Sequence, residues 1–467
     1  MSKRGAGLPT FLITGVAAFM ASLDNLVVTT ALPTIQREFH SSLSSLEWTV
    51  NAYTLTYAVF LLTAALLGDR FGRRATFVTG LTVFTLASAL AATAGSVGTL
   101  VAARALQGAG GSVIFPLALT LLVNVVPERR RGMSIAGLSG MSGLAIALGP
   151  VVGGLIVQFG DWHWIFWVNV PIGVLLAPLA MLWLRESRGP NAQLDVPGTL
   201  LVTGGLLGVV YGLIGSGERS WRDPLVAGSA LAGVALLVAF ALWEYRARFP
   251  VVPPTLFRSR GFSFANLVAL LQQGGMFGAV FLLMQYLQNV LHYSPLTAGS
   301  RTLPWTIMPL VVAPLTGMLA ERVGVHRLMV VSGAVQTTAL IWLAVVSGST
   351  MDYLAALPAL LLAGVGMGVF FALSARQTLD FTPPAFDGVA AGVNSSLRQV
   401  GVVLGIAVLA GVFANAGGYG SVPLFVSGLH AALWVGAGVL LTATVLSALT
   451  PRVATRGVAL VGDPVAA

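Results

Sequence analysis

Gly68-Asp69-Arg70-Phe71-Gly72-Arg73-Arg74 closes one long apolar run, and Ala320-Glu321-Arg322-Val323-Gly324-Val325-His326-Arg327 closes another. Acid, arginine and glycine recur at a constant offset of 252 residues, from Gly72 to Gly324. Both stretches are short polar breaks between runs of roughly 20 apolar residues, the length that crosses a bilayer as a helix. A repeat of this kind predicts two related sets of membrane helices with a site between them. The glycines Gly137 and Gly149 are echoed approximately by Gly392 and Gly405, which points the same way.

Working outward, the apolar runs fall at about 10–32, 48–67, 75–94, 98–124, 133–157, 163–184, 198–216, 224–243, 262–291, 297–319, 328–347, 354–374, 388–413 and 425–449, fourteen spans in 467 residues. The chain is 56% hydrophobic and 9% charged, with a mean hydropathy of +0.87. This is an all-α integral membrane protein with no room for a sizeable soluble domain. The first run carries Asp24 and lacks a small-residue cleavage site, so it reads as an uncleaved spanning helix rather than a signal peptide. The repeat divides the chain into a six-helix half over 1–184, an inserted two-helix hairpin with linkers over 185–260, a second six-helix half over 261–450 and a tail over 451–467. With the N-terminus inside, nineteen of the 25 basic residues fall in cytoplasmic segments. Only Arg37, Arg219 and Arg222 fall outside, and Arg104, Arg301 and Arg398 lie within spans. Both termini are therefore expected in the cytoplasm.

Composition also excludes chemistries. The absence of cysteine removes disulfides, thiolate metal sites and cysteine nucleophiles. The single lysine, Lys3, precedes the first span, so a Gly-Lys-Ser/Thr phosphate loop, a Schiff base and a catalytic lysine are all missing from the folded body. His40, His163, His292, His326 and His430 are scattered without metal-ligand spacing, and no metal or cofactor is expected. The net charge of +9 is accounted for by topology rather than by nucleic acid.

Four stretches together resemble the fourteen-helix drug:proton antiporters of the major facilitator superfamily. They are Leu23-Asp24-Asn25-Leu26-Val27-Val28-Thr29-Thr30-Ala31-Leu32-Pro33, the Gly68 to Arg74 turn, Arg104-Ala105-Leu106-Gln107-Gly108-Ala109-Gly110, and Gly149-Pro150-Val151-Val152-Gly153-Gly154. The resemblance covers nearly the whole chain. It implies the major facilitator fold, a cytoplasmic gating loop at Asp69, Arg70, Gly72 and Arg73 with its copy at Glu321 and Arg322, and an antiporter helix around Gly149, Pro150, Gly153 and Gly154. It further ties Arg104 to the proton-transfer machinery. The family often carries polar Thr and Asn where this chain has Leu26 and Thr29.

The residues have their own physics. Asp24 is the one carboxylate placed well inside a predicted span, about 21 Å along it at 1.5 Å per residue. A charge there is costly, which marks it for proton coupling, with a structural polar contact as the alternative. Arg104 needs partners when buried, and either tunes a carboxyl or holds span 4 to span 1. In the turn, Asp69 is expected to cap a helix and pair with arginine. Gln272, Met276, Phe277, Phe281 and Gln285 in span 9 form an adaptable stripe that lines a substrate cavity or simply packs. Arg398 in span 13 faces the cavity or snorkels to the cytoplasm.

The resulting expectation is a monomeric, proton-coupled exporter of small amphipathic drugs or antibiotics in a bacterial cytoplasmic (inner) membrane. It needs no cofactor beyond the proton gradient. A dedicated exporter of an endogenous metabolite or lipid is the alternative, ahead of a membrane sensor that transports nothing.

Overall fold

The computed structural model describes residues 7–189, 195–217, 219 and 221–451. Lys3, Arg4 and, in the expected tail, residues 452–467 with Arg452 and Arg456 lie outside them. Every one of the predicted spans falls on helix: α1 (Gly7–Phe39), α2 (Leu43–Phe71), α3 (Arg73–Ala92), α4 (Val97–Gly111), α5 (Ile114–Val125), α6 (Glu128–Phe159), α7 (Trp164–Trp167), α8 (Asn169–Trp183), α9 (Val196–Gly215), α10 (Pro224–Glu244), α11 (Arg260–Asn289), α12 (Pro295–Val323), α13 (Val325–Val346), α14 (Tyr353–Leu379), α15 (Asp387–Ala416) and α16 (Val422–Leu449). Helices α4 and α5 share one span, as do α7 and α8. By length and composition, thirteen of the described helical stretches can cross a membrane, and α2, 29 residues long, occupies the remaining predicted span.

The helices outrun the apolar windows because polar and charged residues at their ends extend into the interfacial region. Eight of their starts are capped by the N-cap side chain. Ser42, Ser96, Ser259, Ser294 and Ser421 each accept a hydrogen bond from the backbone N–H three residues on, and Asp195, Asp223 and Asp352 cap α9, α10 and α14. One extension changes the chemistry. Because α2 begins at Leu43 rather than at 48, Glu47 lies inside it and is buried, so Asp24 is not the one carboxylate within a helix.

The repeat is visible in backbone geometry. Adding 252 to the bounds of α2 gives the bounds of α12 at both ends, and α3 and α13 start in the same register. Gly72 and Gly324, which break these helix pairs, have φ of +105° and +90°, a region where a side chain would be strained. His40 and His292 also differ by 252, and among the described residues they are the non-glycine ones with positive φ, each just past the end of the first helix of its set. Glycine spacing is matched at this offset too, through Gly149 with Gly401 and Gly153 with Gly405, a closer correspondence than the pairing read from sequence. Gly149 and Gly153 seat α6 on α1 at Leu26 and Val27, while Gly401 and Gly405 seat α15 on α11 at Leu270 and Gly274.

Packing follows the same exchange: α6 meets α12 and α2 meets α15 across the middle of the bundle. The hairpin of α9 and α10 lies to one side, with α9 against α2 and α15, and only Val226, Gly233 and Glu244 of α10 are buried. A largely apolar helix with so little buried surface is facing lipid.

A Cβ on Gly405 would fall 2.1 Å from the Gly274 carbonyl oxygen, whereas one on Gly438 would meet nothing within 4 Å. Gly405→Ala is therefore expected to lower stability by about 1–3 kcal/mol through overpacking, while Gly438→Ala stays within about 0.5 kcal/mol of wild type. Thermal unfolding of the two purified variants in detergent checks this.

Candidate functional site

Asp24 and Arg104 meet in a closed polar network between α1 and α4, both side chains fully enclosed. Arg104 Nη1 donates to Asp24 Oδ2. The other carboxylate oxygen, Oδ1, accepts from Gln107 Nε2 at 2.8 Å and from Asn169 Nδ2 at 2.9 Å. Arg104 also donates to Gln107 Oε1 at 2.8 Å and, through Nε, to the Thr49 carbonyl at 3.2 Å. Ser88 Oγ accepts from Gln107 and Asn169 at 3.2 and 3.1 Å and donates to the Phe166 carbonyl at 2.9 Å. Three donors converging on one carboxyl group suit its ionised form, so the two opposite charges compensate one another in a medium that would penalise either alone. Both sequence readings of Arg104, tuning a carboxyl and holding α4 to α1, require this contact with Asp24.

Below this network lies a cavity of about 630 Å³. It is walled by α1, α2, α5, α6, α11, α14 and α15 and reaches Pro250 and Val251 and the start of α15, at the end of the bundle that carries the arginine-rich turns. Tyr53 belongs to both features: its ring forms cavity wall on one side, and the Arg104 guanidinium sits 4.2 Å from the ring centre. Cross-bundle hydrogen bonds close the opposite end, from Gln288 Nε2 to the Thr30 carbonyl at 3.0 Å and from Ser294 Oγ to Gln158 Oε1 at 2.8 Å.

The predicted substrate stripe divides here. Phe277 and Arg398 are on the cavity wall, joined by Gln273 one helical turn before Phe277. Gln272, Met276, Phe281 and Gln285 are not. Their positions on α11 point them into neighbouring helices: Gln272 accepts from Ser332 Oγ at 3.4 Å, Met276 and Phe281 are core, and Gln285 accepts from the Tyr419 hydroxyl. Burial, reinforced by the nearby Glu47 charge, pushes the Tyr419 hydroxyl well above the usual tyrosine range.

A family model described as the Major Facilitator Superfamily matches residues 14–406. The chain belongs to the major facilitator superfamily. It is 36% identical, over 88% of its length and 77% of the relative's, to a tetracenomycin C resistance and export protein of Streptomyces glaucescens. A cephamycin export protein of Amycolatopsis lactamdurans is 33% identical over 96% of this chain and 93% of its own, and a puromycin resistance protein of Streptomyces alboniger is 37% identical over 84% and 79%. In fold it is similar to a D-xylose-proton symporter, with a TM-score of 0.67, 14% identity and coverage of 95% and 97%. It is likewise similar to a POT family transporter bound to 5-aminolevulinic acid, with a TM-score of 0.70, 13% identity and coverage of 96% and 97%. This major facilitator protein is thus a multi-pass membrane transporter rather than an enzyme. Among the described residues no group of three or more His, Asp or Glu is placed to hold a metal.

The turn of this superfamily member differs from expectation in one respect. Asp69 pairs with Arg73, at 2.8 Å from both Nε and Nη2, but it does not cap α3. That role falls to Glu186, whose carboxylate accepts from the Arg74 and Ala75 backbone N–H groups at 3.0 and 3.1 Å. The positive φ of Gly72 turns the chain so that the start of α3 faces the segment after α8, and Arg73 N–H donates to the Ser187 carbonyl at 2.9 Å. Arg70 is exposed beside the Phe71 ring. In the second copy Glu321 and Arg322 are exposed, and no ion pair joins them to each other or to Arg327 among the described residues. The position matching Arg73 is Val325, which removes the partner four residues after Glu321. In the antiporter helix, Gly154 lies against the Pro295 carbonyl of α12, and the Pro150 carbonyl accepts from Thr30 Oγ1 at 3.4 Å.

Gln107, Asn169, Ser88, Tyr53, Glu47 and Glu186 were not singled out from sequence. Gln107 stands three residues after Arg104, on the same helix face, which is the one signal that could have found it.

Both Asp24→Ala and Asp24→Asn leave Arg104 without its counter-charge, but the amide keeps the side-chain volume and an acceptor oxygen. Asp24→Ala is expected to destabilise the protein by about 3–5 kcal/mol and Asp24→Asn by clearly less, as read by thermal unfolding in detergent.

Proposed function

We propose that this protein is a proton-coupled exporter of amphipathic drugs or antibiotics, working by alternating access between the halves 1–184 and 261–450. The observation that carries the reading is the shared Tyr53 wall: the buried Asp24–Arg104 pair and the cavity are separated by one side chain that contacts both. A proton arriving on Asp24 displaces one of its donors, most directly Arg104, and a released guanidinium unseats Tyr53. Substrate in the cavity and proton on Asp24 thereby act on the same element, which is what coupling requires. In this scheme both termini lie in the cytoplasm of a bacterium, across whose inner membrane the proton gradient acts. The cavity, reaching the basic end, is then poised to load from inside, and each inward proton contributes about 2.3 kcal/mol per 100 mV. The relatives' roles in resistance and export support the direction.

The Asp69–Arg73 pair and the Glu186 cap act in this scheme as a latch between α2, α3 and the end of α8. The hairpin of α9 and α10 stays at the side, and one chain is the working unit.

Two outcomes test this. In everted membrane vesicles energised by respiration, at least one of a panel of anionic, neutral and cationic amphipathic antibiotics and dyes should release protons on addition and be accumulated, and Asp24→Asn should abolish both signals while remaining correctly inserted. Absence of both signals in wild type across cationic, neutral and anionic compounds would remove drug export in favour of a dedicated metabolite or lipid substrate. Glu186→Ala should slow transport by several-fold with substrate affinity little changed, whereas Glu321→Ala should leave the rate near wild type.

A further inference from the structure

Two arginines lie within helices that border the centre of the bundle, and they are treated oppositely. Arg104 has a carboxylate, an amide and a carbonyl around its guanidinium. Arg398, on the cavity wall, has one hydrogen bond, from Nη2 to Ser395 Oγ at 3.3 Å, and its Nε has no partner although it is buried. The Phe371 ring centre is 5.9 Å away. No carboxylate pairs with Arg398 among the described residues.

The composition of the wall sharpens the contrast. Among the described residues, Arg398 is the one charged side chain lining the cavity, and no aspartate, glutamate, histidine or lysine joins it there. The neutral polar groups, including Asn25, Gln273 and Gln399, are amides and hydroxyls, and the aromatic surface comes from Tyr53, Tyr57, Phe115, Phe277 and Phe371. Carrying the repeat back by 252 residues from Arg398 leads to Ile146, which lines the same cavity, so the charge belongs to one wall only.

A guanidinium held partly out of water without a counter-charge is unfavourable, and it becomes favourable when a ligand supplies the anion in a charge-assisted bond. A lipophilic cation entering this cavity would meet a like charge and no carboxylate. We propose that the cavity is an anion site, in which Arg398 binds the carboxylate, sulfonate or similar acid group of an amphipathic compound whose aromatic or apolar body lies on the phenylalanine and tyrosine wall. The proposal rests on reading this cavity as the substrate site of an exporter and specifies the charge of what is exported.

The test uses the full-length protein in phosphatidylcholine nanodiscs, with equilibrium dialysis corrected for empty discs. Anilinonaphthalene sulfonate, phenylnaphthylamine (the same ring system without the acid) and tetraphenylphosphonium serve as anionic, neutral and cationic probes. Wild type should bind the sulfonate about tenfold or more tighter than the amine, the scale of a hydrogen bond to a charged group. Arg398→Gln should lose that preference while holding the amine within about twofold, which shows the cavity intact. Arg398→Lys should keep part of the preference, since charge is retained and the planar fork is lost. Equal binding of both naphthalene probes by wild type, tighter binding of tetraphenylphosphonium than of the sulfonate, or equal losses for both naphthalene probes in Arg398→Gln would overturn the proposal. The same probes in everted vesicles separate the two readings. Sulfonate bound in an Arg398-dependent way but no probe moved would end the export reading and leave the anion site standing. Amine moved without any preference for sulfonate would leave export standing and end the anion site.

Discussion

The ion pair between Asp24 and Arg104 is the constraint around which the first half of this bundle is arranged. Neither charge is tolerable alone in an apolar interior, and each is held by more than the other: Gln107, Asn169 and the Thr49 carbonyl complete the enclosure. The network draws on α1, α2, α3, α4 and α8, so five helices must stay in register for it to exist. Its rigidity is also what gives it leverage. The Arg104 guanidinium rests on Tyr53, which also lines the cavity, and the proposed coupling runs through that contact.

The second half repeats the scaffold without repeating the chemistry. At the offset of 252, Asp24 corresponds to Met276 and Arg104 to Ala356, both buried and apolar. Glycines keep the pairs α1 with α6 and α11 with α15 at similarly close range, whereas the Asp24–Arg104 charge pair has no counterpart at the matching positions of the second half. The turns show the same division. Gly72 and Gly324 share a backbone conformation, yet Arg73 pairs with Asp69 while Val325 offers Glu321 nothing to bind. In the proposed cycle, a duplicated frame with unequal contents would let one set of helices respond to protons while the other supplies a packed surface to move against.

Hydropathy, charge placement and the repeated turn were enough for the sequence by itself to determine a membrane bundle of two related helix sets. Each apolar run must satisfy its own backbone as helix in lipid, and basic residues cannot be spread evenly across the two sides. Asp24 and Arg104 could likewise be marked from sequence, because a charge in a spanning segment is costly unless something compensates it. Which atoms those partners would be was settled only by the tertiary arrangement. Gln107, Asn169 and Ser88 come from three different helices and are unremarkable in local sequence, and Glu186 reaches the start of α3 from more than a hundred residues away. The α11 stripe shows why: Gln272 and Gln273 are adjacent in sequence and equally polar, but a rotation of about 100° per residue sends one toward α13 and the other into the cavity. Helix formation is a local property of the chain and was therefore legible; the side of each helix that meets a neighbour, a cavity or lipid depends on how the helices rotate against one another, and only the folded bundle decides that.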